Sequence, residues 1–327
     1  MTKPNLPIVT GASGYVGYAL VLELIARGQR PRVLLRKPIP LFDNLPCDIA
    51  IGDVTDAESL QRAFAGADVV CHVAGLVDIS NSRNALLWRV NVDGTNNVIA
   101  ACKACGVGRL VYCSSVDAIA PAPHGTIMHE SARYGISGLS GTYAKTKAVA
   151  TQAVLNSAGE GFDAVACLPS AVIGPYDQKG SAIGEIVRLA MRFRSPAGLS
   201  GGGYNFVDVR DVAQGLAAAA SAPSGESYLL TGEYLDVGAF LALLAELTGH
   251  RPPSVLFPLG VAAAAAPAAE LFYRLSGQTP MFTRYALRKL RENGQFCHQK
   301  AARDLGFSPR SARDSLTDMI AWIRENT

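Results

Sequence analysis

The segment Thr10-Gly11-Ala12-Ser13-Gly14-Tyr15-Val16-Gly17 follows a short apolar run, Ile8–Thr10, and opens directly into an apolar stretch with helical periodicity, Tyr15–Arg27. Glycines at this spacing between a first strand and a first helix constrain the chain more than any other feature. Gly11 permits a tight turn, Gly14 lets the backbone approach a bound group, and Gly17 allows the helix to pack on the strand. The helix start offers free N–H groups and a positive dipole end to phosphates. With Ser13, Tyr15 and Val16, these glycines form the candidate pyrophosphate turn of a dinucleotide site.

Apolar runs closed by glycine or polar residues then alternate with helical segments through the first two thirds of the chain. The pattern predicts strands at Ile8–Thr10, Arg32–Leu35, Asp48–Ile51, Val69–Val73, Arg109–Cys113 and Ala164–Leu168, with Tyr228–Leu230 added late. Helices are expected at Tyr15–Arg27, Ala57–Phe64, Leu86–Cys105, Tyr143–Ala158 and Val207–Ala220. Strands this apolar must be covered on both faces, which predicts an α/β fold with a doubly wound parallel sheet of Rossmann type. After Pro169 the pattern loosens into Gly/Pro-rich loops. We expect a dinucleotide-binding domain over residues 1–168, rejoined by 206–232, and a smaller substrate lobe from 169–205 and 233–327.

The balance of charges excludes some classes. A net charge of +3 in 327 residues lacks the basic excess of a nucleic-acid binder. The seven cysteines are scattered through apolar stretches, as free thiols in a reducing compartment are. Cys102 and Cys105 form a Cys-x-x-Cys without a second pair or paired histidines, so two packed helix residues are expected there and no metal. No signal-like stretch precedes the glycine turn, and Leu256–Leu275 is alanine-rich and broken by Pro258 and Pro267. That stretch is expected to form a buried or surface-lining helix and not a membrane span, and the protein to be cytoplasmic.

The end of the second strand points to the dinucleotide's identity. NAD sites usually place an acid there for the ribose 2′-hydroxyl. Arg36 and Lys37 stand there instead. A guanidinium suits a 2′-phosphate, so NADP is expected, against the plainer reading of two solvated cations. Asp53, followed by Val54, is placed to accept from the adenine amino group, or else simply starts a helix.

Tyr143-Ala144-Lys145-Thr146-Lys147 opens a predicted helix, so Tyr143 and Lys147 share one face a turn apart. Moving a hydride to a ketone requires a proton for the developing alkoxide, and a phenol near pKa 10 needs help at neutral pH. A nearby ammonium, together with an oxidised nicotinamide, is expected to favour the phenolate and pull that pKa down. The fifth strand ends in Cys113-Ser114-Ser115, placing hydroxyls at the C-terminal sheet edge, where Ser115 can polarise a carbonyl.

In this order the motifs resemble the extended short-chain dehydrogenase/reductase family, in particular its dihydroflavonol reductase and 3β-hydroxysteroid dehydrogenase group. The likeness includes Gly52-Asp53-Val54-Thr55-Asp56, His72-Val73-Ala74-Gly75, Asn91-Val92-Asp93-Gly94-Thr95, Leu168-Pro169-Ser170-Ala171-Val172-Ile173-Gly174-Pro175 and Asn205-Phe206-Val207-Asp208-Val209-Arg210-Asp211-Val212-Ala213. By resemblance, Ser115 is the catalytic hydroxyl, with Ser114 the alternative one position away. Tyr143 is the proton donor and Lys147 binds the nicotinamide ribose. Val73, Ala74 and Gly75 line the pyrophosphate and ribose, Pro169, Ser170 and Val172 flank the nicotinamide, and Asn91 is a structural asparagine beneath the site.

Departures from the pattern narrow the activity. Sugar-nucleotide enzymes of this family carry an arginine before the Asn-Phe-Val strand, whereas this chain reads Gly201-Gly202-Gly203-Tyr204-Asn205. Val116 and Asp117 replace the Asp-Glu that dehydratases use for elimination. The resemblance therefore implies interconversion of a ketone or aldehyde and an alcohol on an uncharged, fairly apolar small molecule, in a pocket near Leu76, Asp78, Asp117 and Tyr204. Two other readings stay open: an NAD-dependent epimerase of a sugar derivative, and a non-catalytic dinucleotide-sensing regulator. A homodimer is expected through Leu86–Cys105 and Tyr143–Ala158, whose outer faces are expected to carry Ala101 and Ala148.

Overall fold

The structure is a computed structural model that describes residues 6–77, 84–131, 133–159, 161–193, 197–264, 266 and 284–326. Its main sheet contains β1 (Pro7–Thr10), β2 (Arg32–Leu35), β3 (Asp48–Ile51), β4 (Val69–His72), β5 (Arg109–Cys113), β6 (Asp163–Pro169) and β10 (Ser227–Leu230). They run parallel in the order β10-β6-β5-β4-β1-β2-β3. Chain order reverses between β1 and β4, and the crevice above such a switch point is where doubly wound sheets bind ligands. β1 and β4 are buried along their whole length, so their unbroken apolar character follows from cover on both faces.

Helices α2 (Ala57–Phe64), α4 (Gly94–Ala104) and α5 (Thr142–Ser157) cover one face, burying Phe64, Val98 and Val154 against Leu110 and Ala164. Helices α1 (Tyr15–Ala26) and α7 (Val209–Ala218) cover the other, packing Leu20, Val21 and Leu216 on Val111 and Tyr228. A second sheet joins β11 (Glu233–Asp236), β9 (Gly203–Asp208) and β7 (Ala171–Ile173). It packs on α6 (Ala182–Arg192), α8 (Val237–Thr248) and α11 (Ala312–Glu325) around Val187, Phe206, Phe240 and Ile320.

Four expectations need correcting. The helix expected over Leu86–Cys105 is broken into α3 (Ala85–Trp88), a π turn (Arg89–Asp93) and α4. The extra residue of that turn carries Asn91, which periodicity cannot reveal. The helix expected from Val207 begins after β9, because the Asp208 carboxylate caps it by accepting from the Arg210 N–H at 2.8 Å. The supposed helix at Leu256 starts as a strand, β12 (Val255–Pro258), parallel to β8 (Ala197–Ser200); residues 267–283 lie outside the described residues. Ala101 and Ala148 belong to the core and not to an outer face, because α4 and α5 pack on each other as well as on the sheet. Among the described residues no helix is long and apolar enough to cross a membrane.

Candidate active site

The glycine turn is built so closely that two of its members admit no side chain. A Cβ on Gly11, whose φ is +67°, would lie 2.5 Å from the Ala74 backbone nitrogen, and one on Gly17 would lie 2.1 Å from the Gly11 carbonyl oxygen. Gly14 is looser, but its N–H donates to the Gly11 carbonyl at 2.9 Å, which closes the turn. Gly14 also begins α1 with no side-chain cap and no acid in the first turn. The N–H groups there, including those of Tyr15 and Val16, are placed for phosphate oxygens. The Tyr15 hydroxyl is occupied, donating to the Gly174 carbonyl at 2.6 Å, and burial pushes its pKa well up.

Beside this turn, β1 and β4 are joined by a buried polar chain. The Ala74 N–H donates to Thr10 Oγ1 at 3.2 Å, and Thr95 donates to the Asn91 carbonyl at 2.7 Å. Thr10 therefore has its proton for His72 Nδ1 at 2.8 Å, and Thr95 Oγ1 accepts from His72 Nε2 at 3.0 Å. This assigns a neutral, Nε2-protonated ring. Burial, with Lys147 nearby, lowers its pKa to about 3. Asn91 clamps the next residues: its Oδ1 accepts from the Leu76 N–H at 2.8 Å, while Nδ2 donates to the Leu76 carbonyl at 3.0 Å and to Thr146 Oγ1 at 3.1 Å. Val73, Ala74 and Gly75 are thereby held along the crevice wall, with Gly75 facing Asn91 and Lys147.

The catalytic candidates converge at the end of β5. Lys147 is buried, donates to the Cys113 carbonyl at 2.7 Å and stands 4.5 Å above the Tyr112 ring. Tyr143 lies one turn earlier on α5. Burial pushes its phenol up to about 12; Lys147 and a hydrogen bond with Ser115 act against this, and Asp117 reinforces it. In the chain alone desolvation of the phenolate outweighs the lysine; the expected lowering involves an oxidised nicotinamide as well. The two adjacent serines differ. Thr151 gives its proton to the Lys147 carbonyl at 2.6 Å, so Ser114 donates to Thr151 at 2.5 Å and is turned into α5. Its N–H is taken by the Cys167 carbonyl. Ser115 instead starts a short 3₁₀ turn, accepting from the Asp117 N–H at 3.2 Å.

The remaining candidates lie along the same edge. Arg36 and Lys37 are exposed just past β2. Asp53 Oδ1 accepts from the Thr55 N–H and hydroxyl, each at 2.8 Å, and Val54 is buried under Gly94. Pro169 pairs with Leu230, and Val172 follows in β7. Ser170 is buried, and its hydroxyl has no hydrogen-bond partner within the chain. An uncapped helix start, a glycine cradle and that orphaned hydroxyl together fit a nicotinamide dinucleotide. Asp117 and Tyr204 meet, the Tyr204 hydroxyl donating at 3.4 Å, while Leu76 is partly exposed and Asp78 lies outside the described residues. No group of three or more potential metal ligands occurs among the described residues.

Residues 8–196 match the model of the 3-beta hydroxysteroid dehydrogenase/isomerase family. The chain belongs to this family. It is thus an extended short-chain dehydrogenase/reductase, and relatives match over nearly its whole length. Sterol demethylase protein B of Methylococcus capsulatus is 33% identical, with 97% of this chain and 98% of that protein covered. The 4-hydroxy-2-methyl-3-oxo-4-farnesyl-3,4-dihydroquinoline-1-oxide ketoreductase of Stigmatella aurantiaca is 32% identical, covering 95% and 94%. The crystal structure of gox2253 superposes with a TM-score of 0.85 at 32% identity, covering 98% of both chains.

Within this family member, two cations near the site were not legible in the sequence. Lys179, in the loop after β7, donates to Ser13 Oγ at 3.1 Å and brings a positive charge to the glycine turn. Lys289, far along the chain, lies 3.1 Å from Asp117 Oδ1. Neither sits in a motif; each is placed by a loop or helix folding back over the sheet edge.

Proposed function

We propose that this family member is an NADP(H)-dependent oxidoreductase interconverting a ketone or aldehyde with an alcohol on an uncharged, fairly apolar small molecule. The observation that carries this reading is the convergence of Ser115, Tyr143 and Lys147 at the sheet edge next to the uncapped start of α1. A bound nicotinamide dinucleotide supplies or accepts the hydride. The chain's own residues do the rest. Ser115 polarises the carbonyl oxygen, Tyr143 gives it a proton, and Lys147 orients the cofactor's ribose and favours the phenolate for the reverse direction.

A phenol with a raised pKa is fully protonated at neutral pH, which suits it to donate during reduction. Arg36 and Lys37 would hold the 2′-phosphate, with Asp53 and Val54 around the adenine and Ser170 donating to the nicotinamide amide. The smaller lobe, residues 169–205 and 233–327, supplies the substrate pocket against Leu76, Asp117 and Tyr204. Relatives named as a ketoreductase and a 2-alkyl-3-oxoalkanoate reductase support ketone chemistry. The test is a panel of carbonyl compounds, including 3-oxosteroids and 3-oxoacyl compounds, scored by loss of NADPH absorbance. Turnover of a member with NADPH supports the reading. Tightly retained NAD and no turnover would favour a sugar epimerase instead.

A further inference from the structure

Lys289 belongs to α9 (Arg284–Arg291), yet its side chain is turned inward and the residue is 8% exposed. Its ammonium lies 3.1 Å from Asp117 Oδ1 and 2.7 Å from Glu292 Oε2. Asp117 stands two residues beyond Ser115 and accepts the Tyr204 hydroxyl as well. These groups wall a small cavity of about 30 Å3 together with Val116, Met128 and Phe296. The chain just after α9 is stitched to the catalytic half: Asn293 Nδ2 donates to the Pro123 and Thr126 carbonyls, and Phe296 bridges to Met128. Removing three charges from water at one place is costly, and apolar side chains of similar size would pack as well. The position of the cluster, beside the catalytic turn, gives it a different use.

We infer that Lys289 is a positioning residue for catalysis, pairing with Asp117 so that this carboxylate does not present an uncompensated negative charge to the Tyr143 hydroxyl. The inference rests on Tyr143 being the proton-transferring group. The groups that act on the ionisation of that hydroxyl are Lys147 from α5, Ser115 and Asp117 from the turn after β5, and Tyr112 from β5. Lys289 joins them through Asp117, from α9. Asp117 opposes ionisation of the phenol and Lys147 promotes it. Burial favours loss of the Lys289 proton, but Asp117 and Glu292 outweigh it and hold the ammonium charged. The compensation is therefore present throughout the working pH range.

The test reads Tyr143 directly and needs no substrate. Tyrosinate absorbance is measured milliseconds after a jump to about pH 11, with the matching Tyr143→Phe protein subtracted from each variant. A nearby charge moves a pKa by about one unit or more, so Lys289→Met should lower the ionised fraction about tenfold and Asp117→Asn should raise it several-fold. The double variant should return close to wild type, and Lys289→Arg should match it. A fraction unchanged in both single variants, or a Lys289→Met loss that persists undiminished in the double variant, overturns the inference. Turnover that survived Tyr143→Phe would instead defeat the catalytic reading and leave this titration standing.

Discussion

The Lys147 ammonium donates a 2.7 Å hydrogen bond to the carbonyl of Cys113, the last residue of β5. One contact thus ties the helix carrying Tyr143 to the strand end that presents Ser115. Both partners are buried, so Lys147→Met would leave the carbonyl unsatisfied at a cost of about 1–3 kcal/mol and lower the melting temperature. Cofactor affinity and turnover should both fall. Tyr143→Phe should differ, losing about 10²–10⁴-fold in turnover while its NADPH dissociation constant stays within about twofold of wild type. Parallel kinetics, fluorescence titration and thermal melts separate the two. A phenylalanine variant with wild-type turnover would remove Tyr143 from the mechanism.

Cofactor choice is expected to reside at Arg36. Charge-assisted bonds contribute about 1.5–3 kcal/mol, so Arg36→Ala should weaken NADPH by roughly one to two decades and hardly change NADH. Arg36→Asp should invert the preference by adding repulsion. Dissociation constants for both reduced cofactors check this. A ratio that does not move places the choice elsewhere.

Asn91 is expected to set the crevice wall. Its side chain satisfies both backbone polar atoms of Leu76 and reaches Thr146 as well. Asn91→Leu keeps the size but removes the partner of both part-buried Leu76 backbone groups, at up to about 1–3 kcal/mol for each one left unpaired. Denaturant midpoints should fall, and binding of both NADPH and NADH should weaken together because Gly75 and Leu76 lose their anchor. A variant that lost stability but bound both cofactors normally would make the asparagine purely structural.

His72 should make the fold acid-sensitive. Its pKa is about 3 in the folded chain, against an ordinary value of 6.5. Between these values the unfolded chain binds the extra proton, so stability is fully present above pH 6.5 and declines as pH falls toward 3. The slope from this one residue is at most about 1.4 kcal/mol per pH unit. Urea midpoints measured from neutral pH down to about pH 4.5 should drop more steeply for wild type than for His72→Asn. Parallel curves would show that the ring does not titrate on unfolding.

We also propose a homodimer through the helical face that includes α3. Leu86 and Trp88 are 52% and 38% exposed there, in place of the alanines expected on the outer face. Sedimentation velocity at micromolar concentration should give a dimer, and Leu86→Lys combined with Trp88→Glu should shift it toward monomer. A monomer in wild type rules it out.

By itself the sequence determined the parallel sheet, the glycine turn and the one-turn spacing of Tyr143 and Lys147. Each of these is local: period-two and period-3.6 patterns and a few glycines specify them within one strand or helix. Expected strands such as Arg32–Leu35 and Arg109–Cys113 coincide with β2 and β5 for that reason. Only the tertiary structure decided which neighbours those residues meet. Residue type alone does not separate Ser114 from Ser115, which only the family resemblance ranks, whereas the hydrogen bond with Thr151 turns Ser114 away. The π turn that aims Asn91 at Leu76 is invisible to periodicity. Lys289 reaches Asp117 across 172 positions because α9 folds back over the turn after β5. The raised pKa of Tyr143 is likewise a property of burial, which the spacing of tyrosine and lysine does not encode. Spacing places side chains on a face, but desolvation and long-range pairing depend on what closes over that face.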